Sequence, residues 1–309
     1  MVRTRVFNLF MLLACMSLPF SSVMAKPFYK PDLSHLENSQ IYEEWQRLTQ
    51  EADDNGLTKA NIIAKIKIIE PIVDAKPQWA DGKWLLANLY LNLGETASSD
   101  DEDSKKEARA QLVKAQKLTE DCLRINPNIG ICKFFLGAAI GKISTIDGIF
   151  SSLGKGERVL NLWLDLKKSK QDYVFDDGYS LQGLNYYALG IFYRVVPESR
   201  ILKWLFGISG DIEQSIAMHK ESVKRVGGNG ACGQFMLAVA QLCYADVDEP
   251  SEVKSSLKRK FRAIGAMKSD SDSSKICIND ARKMLKSPGN ACGYTKAQQQ
   301  KRSEDDPEY

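Results

Sequence analysis

Hydrolytic or transfer chemistry at neutral pH needs a base, a nucleophile or a cluster of metal ligands, and this chain is sparse in all three. Its 309 residues hold only two histidines, His35 and His219. No His-x-x-x-His pair exists to hold a catalytic zinc. His219 falls inside a helical stretch and His35 in an N-terminal arm. A serine or cysteine nucleophile would have to draw on one of them, and no Gly-x-Ser-x-Gly elbow is present. Carboxylates pair at Asp53-Asp54 and Asp176-Asp177. Standing ahead of Asn-Gly and Gly-Tyr, both pairs read as helix caps and turns rather than as a general acid and base. Gly228-Asn229-Gly230-Ala231-Cys232-Gly233 spells GxGxxG. A dinucleotide site needs a strand before those glycines, whereas Ile216 to Val226 reads as helix. The run is therefore a helix C-cap and turn, with glycine supplying positive φ. Gly148 to Gly156 fails the P-loop pattern, because Ile149 stands where a glycine is required and Gly156 replaces the Ser or Thr after Lys155. It reads as a connector between helices. Ala97 to Asp103 is acidic and polar but lacks the glycine and terminal glutamate of a calcium-binding EF-hand loop. No catalytic residue, cofactor or metal is expected.

Binding is the chemistry that remains. Tyr173 to Phe206 is dense in aromatics for a chain that averages 9%. The bland reading is helical core. The functional reading is an apolar pocket or groove between helices, with Tyr186, Tyr187, Tyr193 and Trp204 as a surface for a partner or ligand and Arg194 available to an anionic group. A near-neutral balance argues against nucleic acid. The net charge of +3 falls to +1 when Arg3 and Arg5 leave with a leader, and Lys258-Arg259-Lys260, the densest basic run, reads as a solvated helix face.

The first 25 residues have the layout of an export signal: Arg3 and Arg5, an apolar stretch from Val6 to Phe20, then Ser22-Val23-Met24-Ala25 with small residues at the cleavage positions. Leu12-Leu13-Ala14-Cys15 offers a second outcome, a lipobox that would lipidate Cys15 and tether the chain to a membrane. No later segment can span a bilayer, which takes ~20 apolar residues. Tyr186 to Ile208 is interrupted by Arg194, Glu198, Arg200 and Lys203. The expected location is the periplasm or another extracytoplasmic space. Of the seven cysteines, six remain once Cys15 is set aside, an even number suited to an oxidising compartment. Cys122 and Cys132 flank the turn at Asn126-Pro127. Cys277 and Cys292 flank a short C-terminal helix and the break at Ser287-Pro288-Gly289. Both pairs are candidate disulfides. Cys232 and Cys243 lie eleven residues apart on one helix, ~16 Å along its axis and far beyond the ~7 Å Cα limit for a bond. They must pair elsewhere or stay as thiols.

Helical periodicity dominates after residue 40. Ile62-Ile63-Ile66-Ile69 and Leu85-Leu86-Leu89-Tyr90-Leu93 show the spacing, and Gly94 or Asn126-Pro127 ends a run. Leu136-Gly137 and Leu189-Gly190, with Leu86-Ala87 as a weaker version, put a small residue where a facing helix must come close. Tyr90 follows Leu86-Ala87 and Tyr193 follows Leu189-Gly190, and Ala115, Cys122 and Pro127 lie on the helix before Leu136-Gly137 and its terminator. In these residues the chain resembles the tetratricopeptide repeat over about 58–265. That resemblance implies an all-α fold of stacked antiparallel helix hairpins, an α-solenoid that crosses at Ala87, Gly137 and Gly190 and binds a partner protein.

A narrower resemblance rests on Gly190, Tyr193, Pro197, Gly207, Gly210 and Asp211, in the order helix, proline, Gly-rich turn, Gly-Asp, helix. In these the chain is similar to the periplasmic T component of tripartite (TRAP-type) solute transporters. This implies binding of the transporter's solute-binding protein and of hydrophobic ligands, and lipidation in many members. The acidic loop and the cysteine-bearing C-terminus depart from that pattern. The expected organisation is a signal peptide over 1–25, an N-terminal arm and first helix over 26–57, and repeats over 58–265. A C-terminal helix with cysteines covers 266–296 and a disordered tail 297–309. The expected function is an exported scaffold that binds a protein in the cell envelope. The alternative is a binder of a small apolar or amphipathic ligand.

Overall fold

The computed structural model describes residues 28–96, 101–148, 152–175, 178–225, 230–245, 251–268, 272–292 and 294. Residues 1–27 with Cys15, part of the acidic loop, Asp176-Asp177, Gly228-Asn229 and residues 295–309 lie outside the described residues, so the expected signal peptide and C-terminal tail fall there. The fold is all-α. Thirteen helices are described: α1 Ser34–Glu37, α2 Tyr42–Asn55, α3 Lys59–Ala75, α4 Ala80–Thr96, α5 Glu102–Ile125, α6 Gly130–Asp147, α7 Leu153–Ser169, α8 Leu181–Val195, α9 Arg200–Phe206, α10 Ile212–Arg225, α11 Ala231–Tyr244, α12 Ser251–Gly265 and α13 Asp272–Lys286. Short polar side chains begin several of them by accepting an orphan N–H of the first turn. Thr58 accepts from Asn61 N, Asp101 from Ser104 N, and Ser180 from Gly183 N. Asp53 and Asp54 fall in the last turn of α2, where Asp54 accepts from Gln50 Nε2 at 2.9 Å.

Two turn readings change. Gly154-Lys155-Gly156 is the first turn of α7 rather than a connector; Leu153 anchors that turn in the apolar cluster of Val196 and Ile208, and Gly156 leaves room for the Ile208 side chain. Gly230 has φ −70° and stands before α11, so that glycine needs no positive φ. The segment ahead of the GxGxxG run is α10, a helix.

Each helix from α3 to α8 packs on the next, and α8 packs on α10. Alternate helices also meet, α4 with α6 and α6 with α8. Opposite ends of α5 and α6 are tied together by the Cys122–Cys132 disulfide and by Arg109 Nε to Asp147 Oδ1 at 2.7 Å, so the two run in opposite directions. The same holds for α8 and α10, where Ser222 Oγ donates to Gly183 O at 2.9 Å and Ser215 Oγ to Gly190 O at 2.7 Å. The small residues do what their size allows. A Cβ on Gly137 would run into the Trp163 indole of α7, and one on Gly190 would lie 2.7 Å from the His219 ring of α10. Ala87 is fully buried in the core around α4.

The apolar interior forms one large cluster from α1 to α8 and α10, with Ile69, Ala115, Leu136 and Leu189 at its centre. A second cluster joins α11, α12, α13 and Tyr294 around Phe235, Phe261 and Ala281. Disulfides bind this second cluster. Cys232 pairs with Cys277 and Cys243 with Cys292, which corrects the expected Cys277–Cys292 bond. The reason is placement. α11 packs on α13, so its two cysteines, too far apart to meet each other, each find a partner in the C-terminal segment. Three disulfides mark an oxidising, extracytoplasmic compartment. Among the described residues no helix is long and apolar enough to cross a membrane.

Candidate functional site

Four of the five residues expected to form a partner or ligand surface sit on α8, and their helical spacing turns them to different neighbours. Tyr193 is buried, and its carbonyl accepts from Asp211 N at 2.8 Å. Tyr187 packs edge-on to His219, 5.8 Å between ring centres. Tyr186 is half-buried between the Lys167 ammonium and the Arg225 guanidinium. Arg194 points inward. It donates to the carbonyls of Ala291 (3.0 Å), Cys292 (3.1 Å) and Tyr294 (2.5 Å). The side chain read as free for an anionic group is instead the clasp of the C-terminal segment. The other aromatics are likewise spent in local packing: Tyr173 on Trp84, Phe175 on Phe135, Phe192 on Trp163.

His219 is sealed between α8 and α10. It is fully buried, and neither ring nitrogen has a hydrogen-bond partner among the described residues. Burial first, then the nearby Arg194 charge, pushes its imidazole down to about 3. Tyr187 and Arg194, both from α8, are the titratable groups against it. The unfolded imidazole titrates near 6.5, so above that pH neither state binds the proton. Below it the unfolded chain does and the folded chain does not. Stability therefore falls as pH drops from about 6.5 toward 3, by up to about 1.4 kcal/mol per pH unit. We expect urea midpoints measured between pH 7.5 and 5 to fall more steeply for the wild type than for His219→Met. Equal slopes would show that the imidazole gains a proton in the folded protein. His35 packs its ring edge-on to Trp79. Among the described residues no group of three or more His, Cys, Asp or Glu side chains is placed to hold a metal ion.

Trp204, the fifth residue, is on the surface. The chain leaves α8 at Val195 and returns at α10, and the two ends of this excursion are pinned together. Asp211 N donates to Tyr193 O, Gly210 N to Pro197 O at 3.1 Å, and Ser199 N to Ser209 Oγ at 3.2 Å. Gly210 sits so close to the Val196 carbonyl that a side chain would not fit. Gly207 ends α9 at φ 69°, a conformation suited to glycine, and Asp211 Oδ1 caps α10 by accepting from Gln214 N at 2.9 Å. Between these pins α9 stands out with Ile201, Trp204 and Leu205 exposed at 67%, 82% and 54%. No family model matches this chain, and none of the curated proteins matches it.

Sequence reasoning passed over two features. Ile201, Trp204 and Leu205 have i, i+3, i+4 spacing, the signal of a helix face, but it reads as core when taken alone. The second feature is Asp81. This buried carboxylate accepts from Tyr29 Oη at 2.5 Å, Trp84 Nε1 at 2.7 Å and Asp32 N at 2.8 Å. It fastens the N-terminal arm across α4, and no local pattern around Asp81 announces partners 49 and 52 residues away.

Proposed function

We propose that the chain is an exported scaffold of tetratricopeptide-like design that binds a partner protein in the cell envelope. One observation carries the reading. The three small-residue pairs, Leu86-Ala87, Leu136-Gly137 and Leu189-Gly190, fall on α4, α6 and α8, the alternate helices that touch one another. A repeat array has this arrangement, since each unit uses one helix to meet the equivalent helix of the next. Arrays of this kind hold extended faces steady for protein partners. The compartment is the periplasm, and the narrower role is a component of a TRAP-type transporter that engages its solute-binding protein. The small-ligand alternative receives less support, because Tyr173, Phe175 and Phe192 pack against Trp84, Phe135 and Trp163 of the core.

The test is crosslinking in intact cells followed by affinity purification of the oxidised protein and mass spectrometry. A single stoichiometric protein partner is expected, a solute-binding protein in the narrower role. Recovery of the chain with a bound metabolite or lipid and without a protein would replace the scaffold reading by the ligand-binding one.

A further inference from the structure

A seven-residue helix on the surface of an exported protein ordinarily buries one face and offers a polar one to water. α9 does not. Leu202 and Phe206 pack inward against Leu153, Val196 and Ile208, while Ile201, Trp204 and Leu205 form a second apolar face turned outward. Its only polar side chains are two cations, Arg200 and Lys203. Neither makes a hydrogen bond or ion pair among the described residues. The carboxylates of the excursion, Glu198 and Asp211, flank its pinned ends, and Glu157 of α7 sits beside Gly207 where α9 stops. The helix itself thus carries only apolar and cationic side chains, and the carboxylates near it belong to the flanking residues and to α7.

From this geometry we infer that α9 docks the protein onto an anionic phospholipid surface. Tryptophan is the side chain that settles at the boundary between headgroups and acyl chains, and Trp204 is the most exposed of the large apolar residues described. Ile201 and Leu205 enter beside it, while Arg200 and Lys203 stay at headgroup level, where each cation strengthens binding by roughly fivefold. A second copy of the chain is the poorer occupant. A two-fold contact through α9 would gather Arg200 and Lys203 of both copies, four cations, at one apolar seam. The docking adds a location to the scaffold and does not depend on which protein the scaffold binds.

The test is co-sedimentation of the exported, oxidised protein with vesicles of phosphatidylcholine alone and of phosphatidylcholine mixed equally with phosphatidylglycerol. Binding is expected to the mixed vesicles, weakened by added salt, reduced roughly tenfold by Trp204→Ala and roughly fivefold or more by Lys203→Glu. Both positions are exposed, so circular dichroism and melting should match the wild type. No binding of the wild type to the mixed vesicles would overturn the inference, as would binding unchanged in Trp204→Ala. Self-association abolished by Trp204→Ala without vesicle binding would also overturn it and give the patch to a second copy. A protein partner that crosslinks through Trp204 while vesicles do not bind would do the same in favour of that protein.

Discussion

Arg194→Met is expected to cost the fold about 3 kcal/mol, the scale for removing a buried charge that holds several polar partners. The guanidinium lies in the interior at 7% exposure. It is offset by three carbonyl dipoles that lie 97, 98 and 100 residues ahead in sequence. Burial pulls its pKa down to about 10, so it remains charged at neutral pH. Methionine would fill the stem volume and take the guanidinium donors from the carbonyls of Ala291, Cys292 and Tyr294, leaving Ala291 O only the long bond from Tyr294 N at 3.4 Å. Lysine should rescue only part of the loss, since one ammonium cannot present the planar fork that spans three acceptors. The readouts are the urea midpoint and the rate of protease cleavage beyond Lys286. An unchanged midpoint with an unchanged cleavage rate would mean that the disulfides alone hold this segment.

The second large effect is redox. The paired substitution Cys232→Ser/Cys277→Ser, or Cys243→Ser/Cys292→Ser, opens a loop of 45 or 49 residues. The chain-entropy relation gives about 4 kcal/mol for either. The Cys122–Cys132 loop of 10 residues is worth about 3 kcal/mol by the same relation. Losing both C-terminal bonds should cost less than twice one of them, because the two loops overlap along the chain and restrict the same unfolded segment. Cys292 is exposed and Cys277 is buried, so mild reductant should open Cys243–Cys292 first. Peptide mapping without reduction checks the connectivity. Fragments joined through Cys277 and Cys292 would contradict the structure, and melting curves of the two double variants check the magnitude.

Arg194 and the cysteines also show where legibility stops. The helix that carries Arg194 was legible around Leu189-Gly190, because helical spacing acts over four residues. The arginine's orientation could not be drawn, because its acceptors reach it only when α11, α12 and α13 fold back. The Cys122–Cys132 bond was readable since ten residues and a proline turn bring the ends together whatever else the chain does. The C-terminal pairing could be narrowed by helix length, which forbids Cys232–Cys243, and no further. Gly137 and Gly190 were legible as close approaches, while the residues approaching them, Trp163 and His219, were not.

Local spacing and small residues were enough to establish an all-helical chain and to disfavour the common catalytic motifs, because each of these depends on neighbours within a turn or two. Tertiary packing alone decided which cysteines join, that Arg194 clasps the C-terminus, that Asp81 holds the N-terminal arm, and that Trp204 faces outward while the rings before it face in. Those outcomes depend on contacts between segments tens of residues apart, and a side chain's spacing names its face without naming what the face will meet.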